Sequence, residues 1–407
     1  MNIRQYRDFM RIWKGLVVSN VGDGIHRIAI LWWARTATGS DAAVVIVALA
    51  SVVPTLLAAP IAGALVDRFP RRTLMISSDA IRLATSATLA LLWSVGELNL
   101  GGLVVVAAVA AAASAVFDPA LMASVTLLVP PPQRAKANSM IGGSGAVAGI
   151  VGPAIGGVVI GAWGTGAALW IDAATFLVSM AFLLASRIPQ PTATPELEAD
   201  HEGVLAGWAL VRRDRSIRDL VMVAAALNLC AAPVPVLVVG LAAGPLELGG
   251  RGYGLLAACL PAGVLLGLLV APRLAPAAGA GFGGVAATAL GIAGVGALPW
   301  SPLAATMLLV AGAGVGVVNT ILPTRFQDGV DPALQGRVFA LVGAIAQVGR
   351  PVGLLAAAPL VAGPGVQVGL ALCGAGLLAV GLVGRSGLTT PAAIVATGPK
   401  EIAGCRA

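Results

Sequence analysis

Twelve long apolar stretches run through this sequence, and they constrain its fold more than any other feature. Each has about 20 residues or more, the length that an α-helix needs to cross the hydrocarbon core of a membrane. Of the 407 residues, 58% are hydrophobic and only 11% are charged, whereas soluble domains carry about 25% charged residues. The sequence therefore predicts an all-α integral membrane protein with twelve transmembrane helices, at residues 12–34, 42–66, 73–95, 101–128, 138–160, 166–187, 217–243, 253–275, 282–299, 303–325, 337–362 and 367–385.

The distribution of lysine and arginine predicts the orientation of these helices. With the N-terminus inside, 20 of the 25 basic residues fall in cytoplasmic segments, and the outer turns hold only Arg35 and Arg251. Because cytoplasmic segments are enriched in basic residues, we expect both termini in the cytoplasm and the chain in the cell inner (plasma) membrane. The net charge of +7 is spread over many loops. It therefore indicates topology and contact with the anionic inner leaflet of the lipid bilayer, and no nucleic-acid partner.

The longest polar interruption divides the predicted helices into two sets of six. Its second part combines apolar and basic residues, which predicts an interfacial amphipathic helix on the anionic inner leaflet. A plain solvated linker is the alternative. The predicted organisation is an N-terminal half, a cytoplasmic linker, a C-terminal half and a cytoplasmic tail, at residues 1–187, 188–216, 217–385 and 386–407.

The two halves are predicted to be degenerate repeats. The segment from Val129 to Gly142 is similar to the segment from Val330 to Gly343, and each enters a predicted helix after a cytoplasmic turn. Many secondary transporters consist of repeated units with a substrate site near the middle of the membrane. Repetition therefore favours a transporter.

Two motifs stand out from the apolar background. The first is a charged loop after the second stretch, where the arginines favour the cytoplasmic side but topology alone explains neither the glycine nor the aspartate. The second is a row of glycines in the fifth stretch, which lets another helix backbone approach closely, either as a moving contact or as ordinary tight packing. Their residues are Gly63, Asp67, Arg68, Arg71 and Arg72 in the first motif, and Gly149, Gly152, Pro153, Gly156 and Gly157 in the second.

These motifs resemble two signatures of the major facilitator superfamily. The first resembles the loop between its helices two and three, and the second resembles the fifth-helix signature of its drug–proton antiporters. Shorter segments are similar to the macrolide-efflux and enterobactin-exporter-like branch, namely Ser19 to Asp23, Phe117 to Ala120 and Asp172 to Phe176. The resemblance covers essentially the whole chain. It implies the major facilitator fold, alternating access, and a cytoplasmic latch in which Asp67 bonds the arginines of the loop.

Charged residues within the predicted spans are the candidate functional residues, because charge is costly inside a membrane. Asn20, Asp23 and Arg27 share one face of the first predicted helix, and the resemblance implies that this face lines a central cavity. Asp23 is the first candidate for a proton-coupling residue, and a fixed Asp23–Arg27 pair that never titrates is the alternative. Asp118 and Arg350 complete the cavity candidates, and Arg350 needs either an acidic partner from another helix or an anionic substrate.

The remaining intramembrane groups have structural interpretations. Asp79 and Arg82 lie one helical turn apart and are predicted to form a structural charge pair. Asp172 is expected near the outer end of the sixth helix, within reach of water. His26 is expected to be a satisfied core or interfacial histidine, not a proton relay.

The sequence has neither a phosphate-binding loop nor metal-ligand spacing, so we predict no enzymatic activity, no cofactor and no metal. The predicted function is secondary active export of a small amphipathic molecule (a drug, antibiotic or secondary metabolite) by proton antiport and alternating access. The partners would be this substrate, protons and the bilayer, and the protein would be a monomer. A lysolipid or metabolite transporter and a nutrient importer of the same fold are the alternatives, and a non-transporting receptor or scaffold is a more distant one.

Overall fold

The computed structural model describes residues 3–189, 215–274, 277, 279–297, 300–329, 348–360, 365–385 and 388. Within this part the chain is helical and contains no β-strand. The amphipathic linker helix and most of the tail were predicted for residues outside it. The helices are α1 Arg7–Thr38, α2 Asp41–Arg68, α3 Arg71–Ser94, α4 Leu100–Leu128, α5 Pro131–Leu184, α6 Arg215–Ala231, α7 Val234–Ala243, α8 Gly250–Leu274, α9 Ala280–Ala297, α10 Ser301–Gly329, α11 Val348–Leu360 and α12 Val366–Val383.

Eight helical segments of the described part are long and apolar enough to cross a membrane: α2, α4, α5, α8, α9, α10, α12, and α6 with α7. Helices α1 and α3 have 32 and 24 residues but carry charged side chains in their middle and are not among the eight. The chain is thus an all-helical, multi-pass membrane protein. The number of twelve spans stays a prediction, because residues 330–347, where the eleventh predicted helix begins, lie outside the described part.

Helix α5 contains the predicted fifth and sixth spans in one element of 54 residues. Gly164 lies between them with φ 80° and ψ 173°, a backbone conformation that glycine tolerates because it lacks a Cβ. Both ends of α5 lie near the start of α1: Trp13 Nε1 donates to the carbonyl oxygen of Met140 at 3.0 Å, and Gly15 lies against Phe182. The chain therefore reverses direction at Gly164 without a loop.

Most helix packing occurs within each predicted half. In the first half α1 packs along α5, α2 packs on α4, and α3 packs on α4 and α5; in the second, α8 packs on α10, and α9 on α10 and α12. Between the halves, α5 packs against α8. Their backbones approach closely at Gly157 and Gly254, where a Cβ built on Gly157 would lie 2.6 Å from Gly254 Cα. Small residues let two helices come this close.

The two halves share a hydrophobic core that joins them at one end of the bundle and extends through the second half to Leu220 and Leu322. Leu31 and Val44 of the first half belong to the same buried cluster as Leu237 and Tyr253 of the second, at the end predicted to be outer. At the opposite end each half has its own cluster. Phe117 and its neighbours belong only to the first half, and a small cluster around Val317 belongs only to the second. Among the described residues, buried apolar packing thus joins the halves at the predicted outer end.

Candidate functional site

A polar cavity of about 320 Å³ lies between α1, α3 and α4. Asn20, Asp23 and Arg27 all line it, as expected for residues that share one helical face. Asp118 of α4 and Arg82 of α3 reach the same cavity from the neighbouring helices. The predicted stripe on α1 therefore faces an internal space and not the surrounding lipid.

Arg82 is the centre of a charged network beside this cavity. Its Nη2 donates a hydrogen bond to Asp23 Oδ1, and its Nη1 lies 3.6 Å from Asp79 Oδ1. The guanidinium carbon also lies 4.3 Å from the centre of the Phe176 ring. The Asp79–Arg82 pair is thus present, but the hydrogen bond of Arg82 goes to Asp23. No Asp23–Arg27 ion pair occurs in the described part of the chain.

A second network joins the partly buried His26 of α1 to the buried Asp172 of α5. His26 Nδ1 lies 2.9 Å from Asp172 Oδ2, and the Ser86 hydroxyl donates to the same carboxylate oxygen. Asp172 is 1% exposed, so its expected contact with water at the outer end is wrong. Helices α1 and α3 cover it, and only His26 of this group lines the polar cavity. The expectation that His26 is a satisfied core or interfacial histidine agrees with this arrangement.

Two further cavities adjoin the first one. One of about 500 Å³ lies between the halves and is lined by Arg27, Arg350, Asn228 and Asn319. The other, of about 260 Å³, has mainly apolar walls that include Tyr253 of α8. Arg27 lines all three cavities. Together they form a space that is polar on one side and apolar on the other.

Asn228 and Asn319 are not among the predicted cavity residues, which are all charged apart from Asn20. Both are amides within apolar helices, α6 and α10. A polar amide is costly in hydrocarbon unless it has a hydrogen-bond partner. An asparagine within an apolar span could therefore have been recognised from the sequence as a candidate functional residue. The described part of the chain contains no cluster of three or more residues suited to hold a metal ion.

The residues of the charged loop lie at the predicted cytoplasmic end. Arg71 Nη1 donates to the carbonyl oxygen of Ala123 at 2.7 Å. Arg72 donates to the carbonyl oxygens of Leu183 and Leu184 at 3.0 and 2.6 Å. These bonds tie the start of α3 to α4 and to the end of α5. Gly63, Asp67 and Arg68 are exposed, and no ion pair of Asp67 occurs within the described ranges.

The glycines of the fifth-helix motif lie on two faces of α5. Gly152 and Gly156 face α1 of the same half: a Cβ built on Gly152 would lie 2.7 Å from Gly24 Cα. Gly149 and Gly157 face α8 of the other half, and Pro153 borders the apolar cavity. The motif thus packs two helix pairs, of which only one lies between the halves.

Comparison with known proteins gives a consistent result. The model of the Major Facilitator Superfamily matches residues 12–354. The multidrug efflux pump Tap of Mycolicibacterium fortuitum is 30% identical over 388 residues, which are 90% of this chain and 92% of that protein. Macrolide efflux protein A of Streptococcus pyogenes is 25% identical over 394 residues, 92% of this chain and 94% of that protein.

Solved structures share the fold at low sequence identity. The nucleoside transporter NupG superposes with a TM-score of 0.74 at 12% identity, over 94% of this chain and all of that one. A bacterial homologue of the human lysosomal transporter Spinster, in an inward-facing and unoccupied conformation, gives a TM-score of 0.67 at 16% identity, over 94% and 96% of the two chains.

Proposed function

Because the chain belongs to the major facilitator superfamily, we propose that it exports a small amphipathic molecule in exchange for protons by alternating access. That it is a transporter of this superfamily follows from the family match and the fold. The kind of cargo, the direction of transport and the coupling ion are the proposal. Relatives named for macrolide and multidrug efflux favour a drug, antibiotic or secondary metabolite as cargo.

The central cavity is the observation that carries this proposal. Its parts between the halves measure about 500 and 260 Å³, and the larger part alone lies within the range of sites for drug-sized ligands. One part contains amides and arginines, and the other is lined mainly by apolar side chains. A molecule with one polar and one apolar end fits such a space.

Proton coupling is assigned to the network around Arg82. Asp23, Asp79 and Asp118 supply three carboxylates, and within the described part of the chain Arg82 is the one guanidinium in contact with Asp23 and Asp79. Unpaired charge is costly at low dielectric, so a surplus of carboxylates gives this site a place for an exchangeable proton. Asp23 is the coupling residue proposed, since it borders the cavity and bonds Arg82.

Alternating access would move the halves about their α5–α8 contact. The shared core at the predicted outer end and the separate cores at the other end support an inward-facing state here. In that state the latch of Asp67 would be open, in keeping with its exposed side chain. We place the protein in the cell inner membrane, as a monomer with both termini in the cytoplasm.

Efflux from bacterial cells that lack their own pumps tests this function. The cells would be loaded with a panel of dyes and antibiotics, and efflux would be recorded with and without a protonophore. We expect export of at least one compound that stops when the protonophore is added. No export across a broad panel, with the protein present in the membrane, would contradict drug efflux and favour a lipid, a dedicated metabolite or import.

A further inference from the structure

Two arginines that have no acidic partner among the described residues line the same cavity between the halves. Arg27 of α1 and Arg350 of α11 border the space of about 500 Å³ between the halves. Both side chains are exposed to it. No hydrogen bond or ion pair within the described part of the chain involves either of them.

Among the described residues, the lining of this cavity carries positive charge only. Arg27 and Arg350 are the charged residues among its described walls. The carboxylates of Asp23 and Asp118 line the adjoining polar cavity instead, where Asp23 accepts a hydrogen bond from Arg82. Two guanidinium groups at one low-dielectric cavity repel each other, and a negative charge placed between them would remove that cost.

The other polar groups of the cavity fit the same ligand. Asn228 and Asn319 line it, and each side-chain amide has two N–H donors. Asn228 donates to the carbonyl oxygen of Ala224 at 3.0 Å, which leaves its second N–H for a ligand. Guanidinium groups bind carboxylate and phosphate groups with paired, charge-assisted hydrogen bonds. The cavity beside Tyr253 and Pro261, whose walls are mainly apolar, shares Arg27 and Leu31 with this one.

We propose that the transported molecule is an amphipathic anion. Its carboxylate or phosphate binds between Arg27 and Arg350, and its apolar part lies in the adjoining cavity against α8. This inference rests on the proposed export function, and it names the class of cargo that the central cavity selects.

Binding of two related dyes to the purified full-length protein tests the proposal. Fluorescein is anionic and rhodamine 123 is cationic, and both have a xanthene ring. Their affinities, measured by fluorescence anisotropy, therefore differ mainly through the charge of the dye. We expect tighter binding of fluorescein, and a loss of tenfold or more in its affinity for Arg27→Gln and for Arg350→Gln. Rhodamine 123 should bind these variants as well as or better than it binds the wild type. Lys136→Gln, which removes a positive charge at an exposed position, should change neither affinity.

Equal affinity for the two dyes, or fluorescein binding that both arginine substitutions leave unchanged, would overturn the proposal. The melting temperature of each variant shows whether a lost affinity reflects a lost binding contact or a destabilised fold. Without anion, Arg27→Gln should melt no lower than the wild type, because it relieves repulsion, whereas a structural arginine would lower the melting temperature. Arg27→Lys should keep part of the affinity, because it keeps the charge.

Two further measurements separate related outcomes. Vesicles that bind fluorescein but accumulate no dye would contradict export while leaving the anion site intact. Competition then distinguishes two sources of anionic cargo. Displacement of fluorescein by submicellar lysophosphatidylglycerol indicates a lipid-derived anion, and displacement only by a soluble aromatic acid such as naphthylacetate indicates a soluble metabolite or drug.

Discussion

At the scale of single residues, charge pairing organises the interior of the first half. Arg82 bonds Asp23 on another helix and lies beside Asp79 on its own helix. The Asp79–Arg82 proximity was predictable, because it depends only on a spacing of one helical turn. The Asp23–Arg82 and His26–Asp172 contacts were not, since they join helices far apart in sequence and no periodicity encodes them.

Asp23→Asn tests the assigned coupling residue. The asparagine retains an acceptor for Arg82 but cannot bind and release a proton, so the protein should insert normally and still bind substrate. Transport driven by an imposed pH gradient should fall at least tenfold. Glu97→Gln, at an exposed turn, is the matched control. Undiminished pH-driven transport by Asp23→Asn would remove Asp23 from the coupling role.

Asp172→Ala tests the structural importance of the buried network. Removing this carboxylate deprives His26 and Ser86 of a shared partner, and a polar group left unsatisfied in a buried site costs about 1–3 kcal/mol. We expect a clearly lower melting temperature for the detergent-solubilised protein. Asp8→Ala breaks a partly exposed pair with Arg11, a type of contact worth about 0–1 kcal/mol. Equal shifts in the two variants would show that the buried network adds no stability.

At the scale of helices, glycines determine which elements can touch. The sequence predicted a single groove along the fifth helix, whereas α5 uses its glycines on two faces, towards α1 and towards α8. A row of small residues indicates close packing but does not identify the partner helix. The direction of each glycine depends on the tertiary arrangement, which the local pattern does not contain.

Gly157→Ala tests the contact between the halves. Its added Cβ would lie 2.6 Å from Gly254 Cα, so α5 and α8 would have to separate, and overpacking of this kind costs about 1–3 kcal/mol. We expect transport to fall at least fivefold. The control is Gly145→Ala on the same helix, where an added Cβ has no neighbour within 4 Å. Equal transport by both variants would show that the closeness of the halves at Gly157 does not limit the cycle.

Asp67→Asn tests the latch. Asp67 is exposed in this state, so the substitution should leave substrate affinity unchanged. The latch would form only in the outward-facing state, so its loss would destabilise that state. Turnover should therefore slow several-fold in a transport assay at saturating substrate. Asp8→Asn, at a partly exposed position at the same predicted end of the bundle, serves as control. An unchanged turnover rate would contradict the latch and indicate that the loop only fixes the orientation of the chain in the membrane.

At the scale of the whole molecule, apolar patterning predicted the helices well. The described helices follow the predicted spans, because hydrocarbon admits few backbone structures other than a helix. The central cavity was less predictable, since its walls come from both halves and from five or more separate helices. The sequence identified Asp23, Arg27, Asp118 and Arg350 as candidates through their charge, and it could not show that Arg27 faces all three parts of the cavity.

Simultaneous recording of substrate and proton movement in proteoliposomes tests the central claim most directly. Vesicles containing the purified protein and a pH-sensitive dye would receive a transported compound under an imposed pH gradient, with Asp23→Asn vesicles in parallel. We predict that substrate and protons move in opposite directions, that neither moves without the other, and that Asp23→Asn loses this coupling. Substrate flux that is indifferent to the pH gradient and moves no protons would contradict proton-coupled export.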